Sequence, residues 1–264
     1  MSLSTSRIGA AAATRHLVML HGIYGRGRNW QTIAKALVAA RPEYACWLVD
    51  LPHHGDSGAG NHGNTVAGLA ADLDDWLRDE RIFPDAVLGH SYGGKVALAL
   101  AARHPAQALQ IWVIDSTPEA RAPSGSAFDM LRVIRTLPPD FATRDEAAQA
   151  LVAAGYAPGV GQWMSSNLQR DGDRFTWRLD FAAMDELLRD FFATDLWAVV
   201  ESPAAGHQIH FLKASDSQAL SETAVRRIDA LPPGRVTLHH RHGGHWIHSE
   251  SPDEVVSLLV THLP

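Results

Sequence analysis

The chain has 264 residues, 46% of them hydrophobic and 20% charged, which is enough for one sizeable core plus an insertion. A formal net charge of −6 with no long basic run gives no electrostatic reason to bind nucleic acid or anionic lipid, and no apolar stretch is long enough to span a bilayer. Cys46 in "YACWLVD" is the single cysteine, so no intramolecular disulfide forms and a reducing, cytoplasmic compartment is the expectation; "MSLSTSRIGAAAATRH" has an alanine run but no strong apolar leader region.

Six short apolar runs punctuate the chain: "HLVML" before His21, "ACWLV" before Asp50, "AVLG" before His90, "IWVI" before Asp115, "QIHFLK" before Ala214 and "RVTLHH" before Arg241. Continuous rather than alternating apolar character predicts strands buried on both faces. Between them, "NTVAGLAADLDDWLRDERI" puts Val66, Leu69, Leu73, Trp76 and Leu77 at helical spacing. "KVALALAARHP" predicts a mostly buried helix stopped by Pro105, and "SPDEVVSLLVTHL" one with a capping serine and proline in the first turn. Strand alternating with helix implies an α/β fold with a mainly parallel sheet and helices on both faces.

The alternation breaks between about Thr117 and Pro203. "FDMLRVIRTL", "GQWMSSNLQRDGDRFTWRLDF" and "MDELLRDFFATDLWAVV" are mostly helical in pattern and rich in Trp, Phe and Met. The expected organisation is a core of residues 1–116 and 204–264 with a helical cap inserted at 117–203, extra core helices being the simpler alternative.

"VLGHSYGGKVALALAARHP" contains G-x-S-x-G as Gly89-His90-Ser91-Tyr92-Gly93, between a strand and a helix. Flanking glycines let a sharply turned serine hold its hydroxyl above the strand ends. Small residues in turns are common, so the match alone is weak. Two further features point the same way. In "MLHGIYGRGRNW" the Ile23 N–H follows a strand end and, with the N–H of Tyr92, forms an expected oxyanion hole; His245 lies late in the chain, as a Ser…Asp…His order requires. Asp115 and Asp216 each follow a strand and compete to orient His245.

With these motifs in order, the chain resembles the α/β-hydrolase superfamily over roughly 16–116 and 207–263. "HGIYGRGRNW", "LPHHGDSG", "GHSYGGKVA", "VIDSTP" and "GGHWIHSESPDEV" are similar to a branch of small bacterial esterases and thioesterases with mitochondrial relatives. The resemblance implies an α/β-hydrolase fold and favours Asp115 over Asp216 as the acid. Its expected reaction is a cofactor-independent attack on short to medium acyl esters or thioesters. A carbon–carbon bond hydrolase, a perhydrolase and a small-molecule receptor with vestigial turnover are the alternatives. Tyr92 departs from the branch's usual methionine, and the N-terminus leaves little room for leading antiparallel strands.

Fifteen histidines invite a metal reading, but His242, His245 and His248 lack H-E-x-x-H or a cysteine pair, so no metal is expected. His53 and His54 are expected to order a loop and His90 to pack behind the serine turn. Asp50 and Asp56 read as structural, and the glycines of "HGIYGRGRNW" match no nucleotide motif. Tyr24, Trp246 and Trp163 are the candidate substrate contacts; Trp177, Phe181, Phe191, Phe192 and Trp197 are aromatic residues whose default place is the core.

Overall fold

The computed structural model describes residues 3–264. Its chain begins with β1 (Thr5–Ile8), β2 (Arg15–Leu20), a short 3-10 turn at Gly27–Trp30, α1 (Gln31–Ala40), β3 (Tyr44–Val49), α2 (Val66–Asp79), β4 (Ala86–His90), α3 (Tyr92–Arg103) and β5 (Leu109–Ile114). There follow α4 (Ser126–Ile134), β6 (Asp140–Phe141), α5 (Arg144–Ala153), α6 (Pro158–Ser165), β7 (Leu168–Asp171), β8 (Arg174–Trp177), α7 (Phe181–Ala193) and α8 (Trp197–Glu201). The chain then returns through β9 (His207–Ala214), α9 (Glu222–Asp229), β10 (Val236–Arg241), α10 (Ile247–Glu250) and α11 (Pro252–His262).

The main sheet runs β1-β3-β2-β4-β5-β9-β10, with every pair parallel except β1 against β3. Every residue of β4 and β5 is buried, which is why those runs are apolar throughout. Alternate side chains feed opposite faces: Leu17 and Met19 pack with Ile33 and Leu37 of α1 and Leu258 and Leu259 of α11. Val18 and Leu20 join Leu69 and Leu73 of α2 and Val96 and Leu100 of α3. The Thr65 hydroxyl caps α2 by accepting from the Gly68 N–H at 2.9 Å, a contact of about 1 kcal/mol.

Four expectations need correction. A leading antiparallel strand does fit: Thr5–Ile8 pairs with the outer edge of β3. "RVTLHH" is not buried on both faces, because β10 is the last strand of the sheet and only partly covered. Ser251 precedes α11, but its side chain makes no capping hydrogen bond; Pro252 does occupy the first turn.

The fourth concerns the 117–203 segment, where helices are joined by a three-stranded antiparallel sheet ordered β6-β8-β7. The helical reading of "GQWMSSNLQRDGDRFTWRLDF" fails after Ser165. Asp171 pairs with Arg174 across Gly172-Asp173, and Gly172 has φ of 57°, a two-residue hairpin turn. Trp177 packs edge-on against Phe141, with Leu168 in the same small apolar cluster.

Candidate active site

Ser91 links β4 directly to α3 with φ of 50° and ψ of −114°. A non-glycine residue pays for this left-handed geometry, so the surroundings must hold it. They do: the Ser91 N–H donates to Ile114 O at 3.0 Å, and Ser91 O accepts from the Gly94 N–H at 2.9 Å and the Ser116 hydroxyl at 2.6 Å. The turn is tight enough that a Cβ on Gly89 would lie 2.0 Å from Gly93 O, and one on Gly93 2.6 Å from His21 O.

Asp115 follows β5, also with positive φ (44°), and is fully buried. Its Oδ1 accepts from the Ala214 N–H at 3.1 Å, and its Oδ2 accepts from the Ser217 hydroxyl. His245, in the loop between β10 and α10, places Nδ1 2.7 Å from Asp115 Oδ2 and Nε2 3.2 Å from Ser91 Oγ. A carboxylate has no proton to give, so Nδ1–H donates to it and Nε2 is left to accept from the serine hydroxyl. This arrangement can move a proton off Ser91 while a buried negative charge steadies the imidazolium.

Asp216 makes no such contact. It is exposed, its carboxylate accepts from Ser215 Oγ at 2.7 Å, and its N–H donates to Gly243 O. The sequence pattern does not single out Ser217 or Ser116; the "ASDSQ" turn after β9 holds the clue to Ser217, a hydroxyl three residues beyond the strand end.

Among the described residues, the N–H groups of Ile23, after β2, and Tyr92, at the first position of α3, donate to no backbone carbonyl. Both residues line the space in front of Ser91. The Tyr92 ring is buried and stacks on Phe191 with centroids 5.6 Å apart.

Two cavities open beside Ser91 and His245, of about 390 and 130 Å³. The smaller is lined by Tyr24, Trp163 and Trp246, the last two with ring centroids 5.9 Å apart. The Tyr24 hydroxyl donates to Ala127 O at 2.8 Å, and burial pushes its acidity far below that of a free phenol. The larger is walled by Phe191 and Phe192, with Arg121 and Asp216 also on its surface. Trp177, Phe181 and Trp197 lie on neither lining and pack in the apolar clusters instead.

Behind the site His21, His54 and His90 are buried and His248 is partly buried. His21 accepts the Leu51 N–H at Nε2, His54 accepts the Tyr24 N–H, and His90 Nε2 faces His245 O at 2.7 Å, its ring lying tilted between those of His245 and His248. Burial lowers His21 to about 4 and His54 and His248 to about 3, and holds His90 well below the usual value. All are neutral packing groups near neutral pH. His53 bonds Asn64, and Asp50 accepts the N–H groups of Gly27 and Asp56, which are loop-ordering contacts.

Among the described residues no group of three or more His, Cys, Asp or Glu side chains is arranged to hold a metal ion. Likewise, no helix among them is long and apolar enough to cross a membrane. The Cys46 thiol is buried, and burial pushes it up to about 12.

A family model described as "Alpha/beta hydrolase family" matches residues 17–258. The chain is 26% identical over 268 residues to the sn-1-specific diacylglycerol lipase ABHD11 of Mus musculus, covering 100% of this chain and 85% of that protein. It is 26% identical over 247 residues to Esterase YbfF of Escherichia coli (strain K12), covering 94% of this chain and 92% of the relative. Among solved structures, one titled "Marine microorganism esterase" superposes with a TM-score of 0.83 at 21% identity, over 99% of both chains.

Proposed function

The chain belongs to the alpha/beta hydrolase family, and on that footing we propose that it is a serine carboxylic ester hydrolase acting on short to medium acyl esters or thioesters. The observation that carries this reading is the contact chain from buried Asp115 through His245 to Ser91. Esterase and lipase names among its relatives support the same class of substrate.

In this reading Ser91 Oγ attacks the acyl carbonyl while His245 Nε2 takes the hydroxyl proton. The carbonyl oxygen becomes an oxyanion facing the N–H groups of Ile23 and Tyr92; one such donor is worth roughly 3 kcal/mol of transition-state stabilisation. His245 returns the proton to the departing alcohol or thiol, leaving an acyl-serine. A water then gives its proton to His245 and attacks the acyl carbon, and the proton passes back to Ser91 as the acid leaves. Asp115 holds the imidazole in the tautomer that each proton transfer needs.

Residues 117–203 act as the cap of this site. Ser126 and Ala127 at the start of α4 and Phe191 and Phe192 near the end of α7 support that role, since all four face the space in front of Ser91. Tyr24, Trp163 and Trp246 then contact the part of the substrate that enters the smaller cavity.

The test is hydrolysis of p-nitrophenyl butyrate over many turnovers by the wild type and by folded Ser91→Ala. Sustained turnover that the substitution abolishes is expected. A single stable acylation would instead favour a receptor, and equal rates in the two proteins would remove Ser91 from the chemistry.

A further inference from the structure

The larger cavity is walled by a cation that has no carboxylate partner among the described residues. Arg121 lies on its wall with Ser91 and His245. Among the described residues its guanidinium makes no ion pair, and its Nε is buried without a hydrogen-bond acceptor. The guanidinium lies over the Phe192 ring, 5.3 Å from the centroid, while its backbone N–H is tied to Phe192 O at 2.8 Å. A buried donor left without an acceptor is unfavourable, so the position suits an acceptor that arrives with a ligand.

The remaining polar lining fits such an acceptor. Ser124 and Ser126 line the same wall, and α4 begins there with no side-chain cap, adding the positive end of its dipole. Two carboxylates, Asp115 and Asp216, line the same surface. Among the described residues no ion pair joins either carboxylate to Arg121: Asp115 faces His245 Nδ1, and Asp216 accepts from Ser215 Oγ.

We infer that the substrate arm occupying this cavity ends in a carboxylate, which Arg121 receives through its planar, two-pronged guanidinium. The inference rests on the reading of Ser91 as the nucleophile, because it places the charge on the ester that Ser91 attacks. It makes this chain selective for half-charged esters over their neutral counterparts. One negative charge is accommodated at Arg121, whereas a second, near Asp216, is repelled.

The experiment uses two ester pairs, each matched in length and differing only in charge. One pair is p-nitrophenyl hydrogen adipate and its methyl-capped form, with the charge on the acyl arm. The other is the butyrate ester of a hydroxybutyrate and its methyl-capped form, with the charge on the alcohol arm. Binding to Ser91→Ala is measured by calorimetry, so that affinity is read without turnover. The charged member of at least one pair should bind about tenfold or more tightly than its capped form. That ratio should fall to near one in Ser91→Ala/Arg121→Gln and be partly kept in Ser91→Ala/Arg121→Lys, with folding of each checked by circular dichroism. A ratio near one with Arg121 present, or one that persists in both Arg121 variants, overturns the inference. Wild-type hydrolysis is followed in parallel. Charge preference in binding with no hydrolysis of any ester overturns the esterase reading alone, and hydrolysis without charge preference overturns the Arg121 assignment alone.

Discussion

Asp115 and Ser217 meet across the carboxyl ends of two neighbouring strands, and the Ser217 hydroxyl donates to Oδ2, the same carboxylate oxygen that faces His245 Nδ1. The Ala214 N–H holds the other oxygen. The carboxylate is thereby fixed from two sides before the imidazole docks against it.

Replacing Asp115 with Asn would keep the shape but offer His245 an amide, favouring the wrong tautomer. The expected loss in kcat is on the order of 10⁴-fold. Ser217→Ala removes one hydrogen bond to a charged group and should cost roughly tenfold. Asp216→Asn should cost less than either, because Asp216 does not touch His245. Single-turnover acylation by the three variants checks the ranking; a larger loss in Asp216→Asn than in Asp115→Asn would reassign the acid.

The turn at Ser91 yields a prediction in which stability and activity part. At φ of 50° a Cβ is strained, so Ser91→Gly should be more stable than Ser91→Ala by about 1 kcal/mol, although both lack the hydroxyl. By contrast, Gly89→Ala drives a methyl group into Gly93 O and should lower Tm by roughly 2–12 °C, from an overpacking cost of about 1–3 kcal/mol. Thermal melts of the three proteins read both effects. An Ala variant at 91 as stable as the Gly variant would show the turn to be unstrained.

Burial of neutral histidines predicts acid lability. His21, His210 and His239 are lowered to about 4 and His54 and His248 to about 3, burial being the main cause for each. In the unfolded chain such groups titrate near about 6.5. Between that value and the folded-state ones the unfolded state binds more protons, so stability falls as pH falls and levels off only below the folded pKa. Tm should therefore decline steeply from about pH 6.5 to about pH 4. Calorimetric unfolding in buffers of different ionisation enthalpy should show uptake of several protons near pH 5. A flat Tm across this window would mean that these rings are already charged in the fold.

Much of this architecture is legible in the chain because buried parallel strands must be apolar on both faces. The runs ending at His21, Asp50, His90, Asp115 and Ala214 all lie in the central sheet. The Gly172-Asp173 hairpin was harder to read, since its four-residue strands follow a helix and lie in a segment of mostly helical pattern. Asp115 and Asp216 are inseparable by chain order, because β5 and β9 are neighbours in the sheet and both carboxylates emerge at one edge. Only the turn after β9, which sends Asp216 outward and Ser217 inward, distinguishes them. Arg121 carries no sequence signal at all: a lone arginine in a proline-rich loop becomes notable once the fold leaves it without a carboxylate.

Lys95 joins the two parts of the site. One turn into α3 from Ser91, it is fully buried, and its ammonium donates to the carbonyls of Glu119, Phe191 and Thr194 at 2.9, 2.5 and 2.7 Å. It also sits 4.5 Å from the centroid of the Phe191 ring, and burial draws it down to about 8. The helix that begins at the serine thus grips both ends of the segment walling the larger cavity. Lys95→Met retains much of the stem but strands three carbonyls, at a cost of about 2–4 kcal/mol after partial hydration. For a chain of this size that corresponds to a Tm loss of roughly 5–15 °C. Because Phe191 lines the cavity while the Ser91–His245 contact lies outside this grip, KM should rise more than kcat falls. Limited proteolysis should also reach residues 117–203 before the core in the variant. Unchanged KM and protease resistance, with Tm alone reduced, would make Lys95 a general packing residue and not the tie between α3 and the cavity wall.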